Sequence, residues 1–297
     1  MKKNRMLGLF YVFLSAVVFG FMPILANLSY AGGNNGIMMA FIRAVVPLPV
    51  LIALGRVTSP GCKPTAQQWR IGALLGCLNF GCSLMLYSSY SYIPVGIATT
   101  LHFLYPLFVM LYHVLRYRER PSIWKVIGLL MGVSGAALLV EMGDGGLSPI
   151  GTTLALVSGV VFAAYIILLQ KEAAHPLPLY RLMTATSLAG AVLCGMVGVG
   201  MGALTFALTP QAWLFAALTA LMVSIGGSLV FQAGVRIVGD ADAAIYSLFE
   251  PLTSLLFGLL LLGEALTARK ALSCALILTG LLITMLADRY ASAKTEH

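Results

Sequence analysis

The sequence predicts an all-α integral membrane protein, ten transmembrane helices arranged as two inverted five-helix repeats. Three observations carry that expectation. The chain is too apolar for a soluble protein, its apolar residues fall into ten helix-length runs, and one long phrase is written twice.

Apolar residues make up 60% of the 297 and charged residues only 9%, against roughly 25% charged in ordinary soluble domains. Mean hydropathy is +0.95. A soluble fold of this composition would have nothing polar to cover its surface. The net charge of +8 argues little for nucleic acid, because the basic residues sit between apolar runs and form no patch with interleaved aromatics. Five cysteines, Cys62, Cys77, Cys82, Cys194 and Cys274, are odd in number and lack CxxC spacing. They read as structural thiols, not as a metal site or a disulfide framework.

A membrane-crossing helix needs roughly 20 apolar residues. Such runs fall at about 7–29, 36–54, 70–90, 96–115, 122–140, 150–170, 181–201, 212–234, 243–262 and 270–287. The connections between them are short and hold most of the charge, with turn residues such as GGNN at 32–35 and GDGG at 143–146. The head MKKNR resembles the start of a signal peptide, but the apolar run behind it is longer than usual for one. Ser15, Val17, Val18 and Phe19 recur as Ser158, Val160, Val161 and Phe162. A run that belongs to the repeat is retained, so 7–29 reads as span one.

Orientation follows from the basic residues. With the N-terminus inside, the inner loops and tails hold Lys2, Lys3, Arg5, Arg56, Lys63, Arg70, Arg116, Arg118, Arg120, Lys125, Lys171, Arg181, Arg236, Arg289 and Lys294. The outer loops hold only Arg269 and Lys270, and Arg43 lies within a span. Fifteen against two places both termini in the cytoplasm.

The repeated phrase runs from Ile97 to Lys125 and again from Asp242 to Lys270. A shift of 145 residues lays Ala98 on Ala243, Pro106 on Pro251, Leu107 on Leu252, Glu119 on Glu264 and Lys125 on Lys270. It also lays Gly81 on Gly226 and Gly135 on Gly280. Each copy opens with small residues, carries one proline and closes on a glutamate. The division expected is 1–142 for the first repeat, 147–290 for the second and 291–297 for a cytoplasmic tail. Five spans per repeat is an odd number, so the second copy enters the membrane upside down. Inverted repeats around a midplane site mark secondary transporters, since one fold in two orientations supplies matching gates on both sides.

Small residues indicate how the spans pack. Gly151, Ala155, Gly159 and Ala163 recur every fourth residue, and Gly72 with Gly76 and Gly128 with Gly132 make GxxxG pairs. Such stripes let backbones approach closely in lipid, and plain helix packing is the preferred reading over contact with substrate.

Span three carries Asn79, Ser83 and Tyr87 on one face, which Tyr90 continues, and the same shift brings Ser224, Ser228 and Gln232 of span eight onto them. Polar groups facing lipid would go unsatisfied, so both stripes face the bundle interior, as a polar cavity lining or as interhelical hydrogen bonds. Glu250 is the sharpest residue. Burying a charged carboxylate at that depth costs about 2.5–3.5 kcal/mol, which leaves two even readings, a carrier of protons and a structural acid beside Pro251. Its twin is Tyr105. His102, three residues before Tyr105, reads first as a core histidine, with proton coupling the second reading because histidine titrates near physiological pH. Tyr246 precedes Glu250 by one helical turn. Arg43 snorkels, pairs with an acid or attracts an anionic group, with snorkelling or packing preferred. Tyr112 and His113, near the inner end of span four, suffice as interfacial anchors.

The segments YIPVGIATTLHFLYPLFVMLYHVLRYRERPS at 92–122 and DADAAIYSLFEPLTSLLFGLLLLGEALT at 240–267 resemble the drug/metabolite transporter superfamily, specifically its EamA-type ten-span carriers. The resemblance extends over nearly the whole chain as two units. It implies alternating access in a bacterial inner membrane and a cavity lined by spans three, four, eight and nine. It also implies a small metabolite as substrate, an amino acid or related polar compound, moved outward. The closing glutamates Glu119 and Glu264 resemble a helix-end feature and are not entered as ligands. The candidate cavity residues are therefore Asn79, Ser83, Tyr87, His102, Tyr105, Ser224, Ser228, Gln232, Tyr246 and Glu250, with Glu250 and His102 as candidates for proton coupling. The expected partners are a small-molecule substrate, membrane lipid and protons, without nucleic acid, and a monomer is compatible with everything in the sequence.

Other readings stay open at this point: efflux of drugs or toxic compounds, and uptake of a metabolite. A channel would need a ring or filter of polar residues. An intramembrane enzyme would need mutually placed catalytic groups, whereas Glu250 stands alone and GxSxG does not occur. GxxxxGK[ST] is absent as well, so no built-in ATPase, no catalytic or metal-ligating set and no cofactor is expected.

Overall fold

The computed structural model describes residues 2–93, 95–118, 121–139, 148–173, 176–261, 263 and 265–294. Glu119, Glu264, Arg120 and the GDGG turn lie outside them. Among the described residues all regular structure is helical. Nine helical segments among the described residues are long and apolar enough to cross a membrane: Asn4–Tyr30, Gly36–Thr58, Ala66–Ser89, Ile97–Tyr117, Pro149–Glu172, Leu179–Gly200, Pro210–Val238, Asp240–Leu261 and Ala268–Ala287. A shorter apolar helix, Ile123–Leu138, stands fifth in the order and completes ten spans.

Caps explain where several spans begin. Span three starts at Ala66, four residues before the apolar run, because Thr65 and Gln68 form a capping box that satisfies the first free amides. Span eight starts at Pro210 behind Thr209, whose hydroxyl accepts from the Ala212 amide. Asn35 does the same for span two, accepting from the Met38 amide at 2.8 Å.

The packing has the symmetry that the duplication requires. Span three lies against span six, as span eight lies against span one, and span four against span six, as span nine against span one. Spans five and ten pack on each other along their length. There the symmetry is visible at single residues. A side chain on Gly135 would run into the Ser273 carbonyl, and one on Gly280 into the Gly128 carbonyl. The 145-residue shift turns the first contact into the second, since Gly135 maps to Gly280 and Gly128 to Ser273. Two inverted copies related by a pseudo-two-fold axis make such mirrored contacts; a tandem pair in one orientation would not.

Among the described residues four spans are interrupted or irregular, and the first is span two, Gly36–Val45 followed by Leu48–Thr58 with Pro47 at the break. Span four is Val95–His102 followed by Tyr105–Tyr117, and span nine is Asp240–Tyr246 followed by Phe249–Leu261. Both breaks lie just ahead of a proline, Pro106 in one and Pro251 in the other, which lacks an amide donor and crowds the preceding turn. Span eight holds a π-helical segment, Met222–Leu229, in its middle. Such segments change the angular step between side chains, so Ser224, Ser228 and Gln232 do not form the simple four-residue stripe that the sequence suggests.

The small residues do what their spacing predicts. Gly72 faces Ala185, Gly76 faces the Thr186 backbone of span seven, and Gly159 faces the His102 carbonyl of span four. All five cysteines are free thiols.

Candidate functional site

The polar centre begins with span two. Gly36 opens that helix without a side chain, and the Tyr87 ring of span three packs into the space a Cβ would occupy. Two turns further on, the Tyr87 hydroxyl accepts a hydrogen bond of 2.9 Å from Arg43 Nη1. Arg43 is 8% exposed, so it does not snorkel to the interface. Its backbone carbonyl accepts from Ser224 Oγ of span eight at 3.3 Å. The Arg43 Nε is buried without a hydrogen-bond partner, and no carboxylate among the described residues lies within ion-pairing distance of its guanidinium.

Glu250 sits at the start of the second half of span nine, directly after the break. Its backbone is well held. The amide donates to the Ser247 carbonyl at 2.9 Å, and its own carbonyl accepts from Thr253 Oγ1 at 2.8 Å. Thr253 also bonds the Ala16 carbonyl of span one at 2.9 Å. The Glu250 side chain is half-buried and accepts no hydrogen bond from another described side chain. Tyr90 stands beside Tyr87, ring centres 5.9 Å apart.

Depth can be read along the helices. Arg43 is seven residues past Gly36, about 10 Å of helix, and Glu250 is ten residues past Asp240, about 15 Å. Starting from opposite ends of the bundle, both fall near its middle.

The other candidates divide into two groups. Asn79 and Ser83 are half-buried on span three, and Ser83 Oγ bonds back to the Asn79 carbonyl at 3.1 Å. Ser224 and Ser228 are buried on the π-helical segment. The remainder are sealed into the core. Tyr105 and Tyr246 are 1% and 0% exposed. Tyr105 meets Phe162 edge-on at 4.8 Å, and Phe162 in turn stacks on Tyr165 and Phe231. His102 Nδ1 shares a 3.0 Å hydrogen bond with Ser158 of span six, and Gln232 donates to Tyr165 of the same span at 3.2 Å. These two act as cross-links between spans. The break at 103–104 also separates His102 from the helix that carries Tyr105, so they meet as neighbours across a kink and not on one continuous face.

At one end of the bundle, charges occur in pairs that no spacing rule suggested. Asp242 takes Arg5 at 2.8 Å and Lys125 at 2.7 Å. Glu172 takes Arg236 at 2.7 Å and the Leu177 amide at 2.8 Å. His113 meets Asp240 at 3.0 Å, which gives it a partner in span nine in place of the interfacial anchoring expected. A cavity of about 230 Å³ lies beside this cluster, lined by Met110, His113, Lys125 and Ile245 among others.

Comparison with known proteins agrees with this architecture. The model of the EamA-like transporter family matches residues 6–141 and again 149–286. An uncharacterized transporter of Synechocystis sp. is 26% identical over 301 residues, 89% of this chain and 88% of its own. The threonine/homoserine exporter RhtA of Salmonella typhimurium is 29% identical over 213 residues, 69% of this chain and 66% of its own. A solved crystal structure superposes with a TM-score of 0.80 at 20% identity, covering 98% of this chain and 99% of that one.

Proposed function

The chain belongs to the EamA-like transporter family, a multi-pass membrane transporter and not an enzyme, and from that premise we propose that it exports a small polar metabolite by alternating access. The observation that carries the reading is the pair of broken helices. Spans four and nine are interrupted at twin positions near mid-depth, and discontinuous spans beside a polar centre are how secondary carriers build a substrate site. The break frees backbone groups and turns side chains inward at a depth where unbroken helices present only lipid-compatible surface. Amino acids or closely related compounds are the favoured cargo, supported by the similarity to a threonine/homoserine exporter. The membrane is the bacterial inner membrane with both termini cytoplasmic, supported by the distribution of basic residues.

On this reading the paired charges around Asp242 and Glu172 close the cytoplasmic end, and the substrate reaches the centre from the other side. Glu250, at the start of the second half of the broken span nine, is the candidate for proton coupling. His102, tied to Ser158, is the weaker candidate. The test is transport in proteoliposomes against a broad metabolite panel, with cellular metabolomics of strains overproducing or lacking the protein to choose the panel. Accumulation of a small polar metabolite in the medium, matched by transport in vesicles, is the expected result. No transport of any compound in the panel would overturn the reading.

A further inference from the structure

We propose that the ends of spans four and six, where Arg116 and Lys171 stand, form a binding site for an anionic phospholipid headgroup, with these two cations holding its phosphate. The site is on the lipid-facing side of the bundle, apart from the polar centre, and is independent of the cargo. Its placement in the cytoplasmic leaflet rests on the orientation proposed above.

Spans four and six both end at this face, at Tyr117 and Glu172, so Arg116 and Lys171 fall in the last turns of neighbouring helices. Glu172 turns inward and is taken by Arg236. Lys171, one residue earlier and about 100° round the helix, is exposed, as is Arg116. Lys171 Nζ stands over the Tyr112 ring, 5.4 Å from its centre, and the Arg116 guanidinium over the Tyr117 ring at 5.6 Å. The two rings meet edge-on at 5.8 Å, which ties both cations into one cluster across the two spans. Elsewhere at this end, Arg5 and Lys125 share Asp242, and Arg236 has Glu172. Arg116 and Lys171 have no carboxylate within ion-pairing distance among the described residues. A ring face attracts a cation without neutralising it, so the cluster keeps two positive charges.

The inverted copy shows that packing does not require these cations. The 145-residue shift lays Tyr112 on Phe257 and Arg116 on Leu261, and the 143-residue shift from Ser15 to Ser158 lays Leu28 on Lys171. The same corner at the opposite face is thus built from Phe257, Leu261 and Leu28. The helices that end there carry no basic residue in their last turn, so neutralising a helix end is not a need of this fold either. Towards mid-depth from Arg116, Leu111 and Leu115 share one face of span four and are 52% and 72% exposed. A cationic rim above an exposed apolar strip matches the order of groups in a phospholipid, phosphate above acyl chain. The guanidinium fork fits two phosphate oxygens, and the ammonium adds a point charge beside it. Basic clusters at the cytoplasmic ends of spans recognise anionic headgroups in this way. A zwitterionic headgroup brings its own cation into the cluster, which repels it.

The experiment is native mass spectrometry of the purified, delipidated protein in detergent. The probes are phosphatidylglycerol, phosphatidylethanolamine and phosphatidylcholine with identical acyl chains. The wild-type protein should retain phosphatidylglycerol over either zwitterionic lipid by about fivefold or more, since each basic residue beside anionic lipid contributes roughly that factor. Arg116→Ala with Lys171→Ala should bring phosphatidylglycerol down to the zwitterionic level. Arg116→Lys with Lys171→Arg keeps both charges and should keep most of the preference. Arg56→Ala with Lys63→Ala removes the same charge from exposed positions at the junction of spans two and three and should change nothing. Equal retention of the three lipids by the wild type overturns the site, and decides the case even if a variant does not fold. So does a preference that survives the double alanine variant, or one that falls as far in the Arg56 and Lys63 control. Release of phosphatidylglycerol by inorganic phosphate or an acidic peptide at matching concentration assigns the cluster to a soluble anion and overturns the lipid site. None of these outcomes involves transport, so the carrier reading stands or falls separately.

Discussion

The two ends of the charge inventory behave differently. At one end of the bundle, Asp242, Glu172 and Asp240 are each held by basic groups from other spans, within 3.0 Å. Nearer the middle, Arg43 is held by the neutral Tyr87 hydroxyl, and the Glu250 side chain accepts no hydrogen bond from another described side chain. The difference teaches what each set is for. A charge whose partner is built in contributes to holding helices together. A charge without such a partner at greater depth is a candidate for a functional path.

The comparison breaks most sharply at Glu172. It is 3% exposed and chelates Arg236 with both oxygens. Glu172→Gln should destabilise the protein by about 3–5 kcal/mol, the range for removing one member of a buried pair, read as a large loss of folded yield and of melting temperature in detergent. A melting temperature unchanged from wild type would remove the distinction between structural and functional charges.

Tyr87→Phe tests the centre from its neutral side. It strips Arg43 of its hydrogen bond and should cost about 1.5–3 kcal/mol, as for bonds to charged groups, divided between melting temperature and substrate affinity. Full retention of both would show that Arg43 is positioned without Tyr87.

Asp242→Asn removes two partly exposed pairs at once. Each such pair is worth up to about 1 kcal/mol, so stability should fall by about 1–2 kcal/mol. The same change should open that end, measured as faster thiol labelling of a Met110→Cys probe in the adjoining cavity. Labelling at the wild-type rate would show that the pairs do not gate access.

Glu250→Gln should change stability least, by less than about 1 kcal/mol, because no described side chain loses a hydrogen bond. Transport should nevertheless fall to background. A variant that transports normally with unchanged proton dependence would remove Glu250 from the mechanism altogether.

Much of the fold was legible before any coordinates. Ten apolar runs can be counted because lipid demands an apolar length of known size, and the duplication shows at Pro106 and Pro251 because both copies still need the same kink. The site was legible only in outline. Spans three, four, eight and nine were marked, and Glu250 was singled out, because a carboxylate is conspicuous in an apolar run. For Arg43 the sequence favours snorkelling or packing and leaves open pairing with an acid or attraction of an anionic group, since a long basic residue near an interface ordinarily reaches water. The signal against that was its distance into the span, but only Tyr87 packed on Gly36 shows the side chain held inside. Tyr105, Tyr246, His102 and Gln232 are polar like Tyr87 and Ser83, and nothing in their spacing says that they are buried in the packing between spans.

By itself, then, the sequence determined the class, the number of spans, the duplication and, through an odd number of spans per copy, the inversion. These depend on hydropathy and period, which are local or self-referential. The tertiary structure decided which charges are matched and which are left open, where span eight loosens into a π-helix, and which tyrosines face the centre. Those depend on what another span places opposite a given residue, through contacts such as Arg43 with Tyr87 or Glu172 with Arg236. Partners 44 and 64 positions apart in the chain leave no mark in either segment alone.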